Sequence, residues 1–235
     1  VIQIIDETID TKTFILRPSS RWAGFNPGQY INIETEINGV TVRRNYSISS
    51  SPQTFRLQQL ISITVKRIDG GRVSSHLHNR LAIGDIMTIS DAAGEFTLEP
   101  EASSKGSVFI AAGSGITPIM SMISQMNEQL SEQPITLIYY VNTPQDLIFE
   151  SALTMISTHT SNIDFIPHFT EAEGYITERQ IASDCPDIVD RDIYLCGPQE
   201  FMASVNVHCG ELGVAQDDIK QESFGGAINT AHKTD

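Results

Sequence analysis

Hydrophobic and polar positions alternate with a period of two through the first hundred residues, and the rhythm then changes. VIQII, KTFILRP, QYINIETEI, VTVRRNYSIS, LISITVKRI and IMTIS are short runs rich in β-branched residues, punctuated by NPG, NG, DGG and AAG. Six such strands suit an antiparallel barrel or sandwich. One short helix is expected among them, SSHLHNRL, with Ser74 as its cap. After Ser103 apolar strands alternate with amphipathic helices: SVFIAA with ITPIMSMISQMNEQL, PITLIYYV with LIFESALTMISTH, NIDFIPHF with ITERQIA, and DIYLCG with PQEFMASVNVHCGEL, then DIKQESF. Five strands and four helices in that order predict a doubly wound parallel sheet, which binds ligands outside the carboxyl ends of its strands. The expected organisation is a six-stranded antiparallel β-barrel over residues 1–103, an α/β doubly wound domain with a five-stranded parallel sheet over 104–225, and a small polar tail over 226–235 serving as terminus or linker.

Charge divides the chain at the same place. Residues 1–103 carry 10 basic and 11 acidic side chains, and residues 104–235 carry 5 and 18. Two domains with different ligands explain such a break. The net charge of -14 argues against nucleic acid or an anionic membrane as partner, because both are bound through clustered Lys and Arg. The longest apolar run, SVFIAAGSGITPIM, is broken by two glycines and a proline and falls short of the ~20 residues a membrane span needs. No leader pattern opens the chain, although a start at Val1 leaves a processed terminus open. Cys185, Cys196 and Cys209 are too few for a disulfide framework and lack metal-ligand spacing, which fits a reducing, cytoplasmic compartment.

Four stretches carry candidate chemistry. RRNYSISSSP, residues 43–52, places two arginines, a ring and several small hydroxyls on one strand, a mixture suited to a flat phosphorylated aromatic ligand rather than to core closure. AAGSGITP sits between a strand and a helix, so Gly113 and Gly115 let the backbone approach a phosphate, Thr117 can cap the helix and Pro118 suits its first turn. Without the third glycine of a dinucleotide fingerprint, this stretch alone fits a structural turn equally well. YLCGPQEF brings Cys196 to the same carboxyl edge, where it would face a bound ligand, although a lone cysteine before a turn is usually a buried small residue. In VKRIDGGRVSSHLHN, Gly70 and Gly71 free the backbone, and Ser74, Ser75 and the helix N-terminus offer N–H groups to an anion; a plain capped turn is the alternative. His76 and His78 diverge on a helix and make a poor metal pair.

In order along the chain, FNPGQY, RNYS, GGRVSSHLHN, AGSGITP, YLCGP and ESF resemble the ferredoxin-NADP reductase superfamily of flavoproteins over nearly the whole length. GGRVSSHLHN is most similar to the reductase portion of flavohaemoglobins. The resemblance implies FAD on the RNYS strand, with Arg44 on the pyrophosphate, Tyr46 against the isoalloxazine ring and Ser47 near its reactive N5. It further implies that Val65 and Lys66 flank the flavin through the backbone. Gly71, Val73, Ser74 and Ser75 would cradle the pyrophosphate, and Gly113, Thr117, Cys196, Gly197 and Pro198 would hold the nicotinamide cofactor. Glu222 and Phe224 take the place of the family's carboxyl-terminal acid and aromatic residue; a phenylalanine followed by eleven more residues departs from the tyrosine terminus of the plant enzymes.

Ser47, Cys196, Glu222 and Phe224 are thereby the expected lining of the transfer site. Where NADPH-using members carry a serine-arginine pair, HFTEAEG has Thr170 and Glu171, and a carboxylate there accepts ribose hydroxyls but repels a phosphate. NADH is therefore the expected reductant, with Arg179 the main nearby cation that opposes this. The implied activity is hydride transfer from NADH to FAD, followed by release of single electrons to a protein acceptor: a two-iron ferredoxin, an oxygenase or a haem protein. No CxxxxCxxC run is present, so an iron–sulfur partner would be another chain or a fused domain outside this sequence. An FMN-containing oxygenase reductase and a redox-inactive nucleotide-binding subunit are the rivals. An ordinary NAD dehydrogenase of doubly wound fold leaves the RNYS strand unexplained.

Overall fold

The structure is a computed structural model and describes residues 1–98 and 106–223. The expected domain boundary at 103, the tail over 226–235 and Phe224 lie outside the described residues.

Six strands build the N-terminal part: β1 (Gln3–Thr8), β2 (Thr11–Leu16), β3 (Tyr30–Ile37), β4 (Val40–Ser47), β5 (Ile61–Lys66) and β6 (Thr88–Ile89). They form two antiparallel three-stranded sheets, ordered β1-β2-β5 and β4-β3-β6. The sheets meet where Ile48 bridges Ile63 and the Ser49 amide donates to the Ser62 carbonyl at 2.8 Å. Inward residues of both, among them Phe14, Ile31, Ile33, Ile63 and Val65, are fully buried in one core, as the period-two alternation requires.

Two helices lie in this part rather than the single one expected. The additional one, α1 (Pro52–Gln58), starts in the serine-rich stretch itself: Ser51 Oγ accepts the Thr54 N–H at 3.1 Å and Pro52 occupies the first helical turn. The signal was present as Ser-Pro, but the apolar face of a seven-residue helix is too short to show a period. In α2 (Arg72–Arg80) the cap is Gly71, not Ser74. Ser74 lies inside the first turn, with its hydroxyl accepting the Ile68 N–H at 3.2 Å.

The C-terminal part is a parallel sheet of β7 (Ser107–Ala112), β8 (Ile135–Val141), β9 (Ile163–Phe169), β10 (Asp192–Gly197) and β11 (Ile219–Ser223), ordered β11-β10-β7-β8-β9. β7 and β8 are buried almost throughout, as continuous apolar runs covered on both faces should be. Helices α3 (Ile116–Glu128), α4 (Glu150–His159), α6 (Glu178–Asp184) and α7 (Gln199–Glu211) match the four expected. A further short helix, α5 (Thr170–Glu173), interrupts HFTEAEG. The order reverses beside β7, so the crevice at the carboxyl ends of β7 and β10 is the switch point of the fold.

The two parts touch along this crevice. Ser121 Oγ on α3 donates to the Ser50 carbonyl at 2.7 Å, and Phe96 packs edge-on against Tyr194 with ring centroids 6.1 Å apart. At Gly28, where φ is +99°, a β-carbon would fall 2.1 Å from the Phe96 carbonyl oxygen and 2.4 Å from the Met122 methyl. That glycine in FNPGQY is therefore required by packing within the N-terminal part, against the Phe96 backbone, as well as by the domain contact.

Candidate functional site

β4 ends at Ser47 and delivers its last residues to the crevice. Arg44 is exposed, Tyr46 half-buried and Ser47 buried. The neighbouring hydroxyls, which the sequence grouped with Ser47 as ligand contacts, are committed elsewhere. Ser49 Oγ pairs with Thr64 Oγ1 at 2.9 Å, Ser50 Oγ accepts the Ser62 N–H at 2.9 Å, and Ser51 caps α1. Ser47 Oγ alone of this group is buried with no hydrogen bond. An unpaired buried hydroxyl costs ~1–3 kcal/mol, which makes Ser47 Oγ a candidate for a ligand contact.

Glu222 approaches from the other domain. β11 pairs with β10 so that Glu222 stands opposite Cys196, and Cys196 in turn opposite Ala111 of β7. Burial pushes the Glu222 carboxyl up to about 7, with the nearby Ser47 hydroxyl pulling slightly the other way. The Ser47–Glu222 contact is proximity without alignment, since neither Ser47 Oγ nor Glu222 Oε2 has a hydrogen bond of acceptable geometry. Because the folded-state value lies above the ordinary 4.5, the stability this group contributes is complete below pH 4.5 and is lost as pH rises through about 7. In the flavin-free protein, chemical denaturation at pH 5 and pH 8 should show this loss, and Glu222→Gln should reduce it; an unchanged pH slope in the variant would contradict the assignment.

Cys196 is not presented to a ligand as expected. Its side chain is fully buried in the core on the α3 side of the sheet, and burial, reinforced by the Glu222 charge, raises its thiol well above the ordinary range. It therefore lines the site from beneath, as a neutral thiol. Gly115 also departs from expectation. A β-carbon there would meet the Cys196 carbonyl oxygen at 2.2 Å and the Gly197 α-carbon at 2.8 Å, so this glycine closes the β7 turn onto the end of β10 rather than admitting a phosphate. Gly113, with φ +52° and nothing within 4 Å of an added β-carbon, is the glycine of the pair with open space beside it, and it is the candidate for a ligand contact. Thr117 does not cap α3: its hydroxyl donates to the Ser114 carbonyl at 3.0 Å, inside the turn, while Pro118 does occupy the first turn. Tyr139, which the sequence did not single out, fixes that turn by donating to the Gly113 carbonyl at 2.9 Å. Its place in the apolar run LIYYV hid it, because a buried tyrosine and a buried phenylalanine look alike to a hydropathy pattern.

The turn expected to cradle an anion opens α2 without a side-chain cap, so the N–H groups of Arg72, Val73 and Ser74 point away from the helix without an intrahelical partner. Gly71 is needed for packing, as a β-carbon would lie 2.6 Å from Ser74 Oγ. The Ser75 amide is spent on the Gly71 carbonyl at 3.1 Å. Arg72 is exposed at the positive end of the helix, where a cation is unfavourable unless an anion joins it, which makes it a candidate contact that the sequence reading passed over. Val65 is buried with its carbonyl held by His78 Nε2 at 2.8 Å, and Lys66 pairs with Asp10 at 3.3 Å. β5 contacts the Gly113–Gly115 turn, so the barrel and the glycine loop meet.

Pro198 is exposed and Gly197 buried at the carboxyl end of β10. Glu171 is exposed on α5 at the end of β9, three strand spacings or about 14 Å from β10. An elongated ligand lying along the carboxyl edge spans that distance. Arg179, the cation weighed against NADH, is exposed in the first turn of α6.

Two family models match in succession: the oxidoreductase FAD-binding domain over residues 1–98 and the oxidoreductase NAD-binding domain over residues 109–206. The chain belongs to the ferredoxin-NADP reductase superfamily. It has an FAD-binding and an NAD-binding domain of the oxidoreductase type. The chain is 30% identical to a glycine betaine monooxygenase reductase subunit of Chromohalobacter salexigens over 95% of its own length and 63% of that relative. It is 34% identical to a flavohemoprotein of Pseudomonas aeruginosa over 94% of its length and 57% of that relative. The chain thus spans about three-fifths of the curated relatives it matches. Among solved structures it is similar to the flavohemoprotein-like FAD/NAD-binding domain of nitric oxide dioxygenase from Vibrio cholerae, with a TM-score of 0.79 and 27% identity, covering 96% of this chain and 97% of that one. No helix among the described residues is long and apolar enough to cross a membrane.

Proposed function

We propose that this reductase takes hydride from NADH onto FAD and passes the electrons singly to a protein acceptor. The observation that carries the reading is the pair of unsatisfied polar atoms, Ser47 Oγ from the barrel and Glu222 Oε2 from the parallel sheet, meeting at the switch point. The residues present fit a flavin. An unpartnered hydroxyl stands at the end of a strand that also bears Tyr46 and Arg44, and an uncapped helix N-terminus lies in the same domain. When bound, FAD supplies the conversion of a two-electron hydride donor into a one-electron source.

The chain's own part is to bind, orient and exclude water. Ser47 offers one small donor at the floor of the crevice. Tyr46 presents a ring, and burial holds its hydroxyl protonated by pushing its pKa up to about 12 despite the Arg44 charge. Arg44, with one guanidinium nitrogen on the Arg43 carbonyl at 2.7 Å, keeps its remaining donors for a diphosphate. Arg44→Ala should weaken FAD retention about tenfold or more, one charge-assisted contact's worth, while changing FMN affinity much less. Equal losses for both flavins, measured by fluorescence titration of the stripped protein, would place Arg44 elsewhere.

At the far end of the carboxyl edge Glu171 accepts ribose hydroxyls and disfavours a further phosphate. Comparing turnover with NADH and NADPH tests that assignment, and a clear preference for NADPH refutes it. The acceptor is an oxygenase or a haem protein, as the similarity to a monooxygenase reductase subunit and a flavohemoprotein supports, or a two-iron ferredoxin on another chain or fused domain. Stopped-flow mixing with NADH, followed by reoxidation with each class of acceptor, tests the whole reading: flavin bleaching within the turnover time is expected, and a protein that takes up no flavin overturns it.

A further inference from the structure

His168 has no part in the chemistry above, yet both of its ring nitrogens and its ring face are engaged. It lies one residue before the end of β9, is 8% exposed, and stacks on Tyr140 of β8 with ring centroids 4.7 Å apart and planes 15° from parallel. Its Nδ1 is 2.6 Å from Glu173 Oε2 and its Nε2 is 2.7 Å from Asp184 Oδ2. Carboxylates only accept, and a neutral imidazole has one N–H, so both short contacts are satisfied together only by a doubly protonated ring.

The two carboxylates belong to different elements. Glu173 closes α5, the four-residue helix that carries Glu171, and its second oxygen accepts the Phe169 N–H at 3.1 Å. Asp184 ends α6. The opposite end of α5 is tied to the residue after β8: the Glu171 N–H donates to the Asn142 carbonyl and Thr170 Oγ1 to Asn142 Oδ1, each at 3.2 Å. A helix of one turn has almost no stability of its own, so its placement rests on these ties. Among the described residues, the titratable groups against the ring are Glu173 from α5, Asp184 from α6 and the Tyr140 hydroxyl from β8, which is itself buried without a partner.

We propose that His168, as an imidazolium, is a positioning residue for dinucleotide binding: it clamps α5 to α6 and so fixes Glu171 at the end of the carboxyl edge. The clamp rests on the reading that Glu171 receives the ribose, and it adds a proton to that recognition. Burial opposes the charge on His168, but the hydrogen bonds to Glu173 and Asp184 outweigh it and hold the imidazolium above its ordinary 6.5. The clamp is therefore complete below pH 6.5 and is lost as pH rises through the higher folded-state value.

The test is the pH profile of steady-state reduction by NADH and, in parallel, by NADPH, from about pH 6 to about pH 10, on the flavin-loaded protein. In the wild type the KM of the better nucleotide should rise about tenfold across the range while kcat moves much less, the equivalent of one lost charge-assisted contact. His168→Gln should be fixed at the high KM. Asp184→Asn should keep the low KM at every pH, because a neutral imidazole can donate to Glu173 and accept from the new amide. A flat wild-type profile, or an Asp184→Asn profile that rises like the wild type, overturns the clamp. Preference for NADPH with the same pH pattern would sink the NADH assignment and leave the clamp standing. If neither nucleotide reduces the flavin, the functional reading fails, and amide exchange at residues 170–174 decides the clamp alone: protection that does not fall with rising pH rejects it.

Discussion

Ser47→Ala is expected to slow flavin reduction by NADH by roughly two to three orders of magnitude, the usual cost of removing one preorganised donor from the reacting atoms. NADH affinity should fall only slightly. The side chain removed is small, sits at the floor of the crevice and makes no hydrogen bond within the protein, so its deletion leaves no internal partner stranded. Thermal stability should accordingly be unchanged or slightly higher, since a buried unpaired hydroxyl is lost. Single-turnover stopped flow separates the two quantities. A rate within threefold of wild type would remove Ser47 from the transfer site and with it the strongest reason for placing the flavin where β4 ends.

Gly115→Val should be the most damaging single change in the C-terminal domain. The new β-carbon would sit 2.2 Å from a backbone carbonyl, which cannot swing aside as a side-chain tip can. Overpacking of this kind costs ~3 kcal/mol or more, which lowers the melting temperature of a chain this size by roughly 6–12 °C. Strain relief must part the β7 turn from the end of β10, so NADH binding should be lost while the barrel retains FAD. Gly113→Ala is the contrasting change. It meets nothing within 4 Å and suffers only from its positive φ, a penalty of about 1 kcal/mol. Melting curves and NADH titrations on both variants check the pair; equal behaviour would contradict the assignment of Gly115 to packing and Gly113 to open space.

The two glycines show what the chain makes legible and what it conceals. Strand and helix alternation exposed the architecture, because each periodicity is the direct imprint of burial on one face. The pattern GSG also marked the strand-to-helix turn. It did not say which glycine has open space beside it and which admits a neighbouring strand, since both uses remove the same side chain. The serines after Tyr46 posed the same problem. Four serine hydroxyls within five residues are chemically equivalent on paper, and only the positions of Thr64, Ser62 and the α1 amides reveal that three are occupied. Cys196 and Thr117 were placed at the right edge but with the wrong orientation, which depends on packing from α3 and on a turn geometry that no local pattern encodes. His168 escaped notice for a further reason: its partners lie 5 and 16 residues away, on helices too short or too weakly amphipathic to fix a register.

Ser47 and Glu222 come from opposite halves of the molecule and are 175 positions apart in the chain, yet each completes the other's surroundings. The crevice is therefore a logical conjunction. Rocking one lobe against the other would part hydroxyl from carboxyl, so under the proposed function a docked acceptor could throttle electron flow without unfolding either lobe.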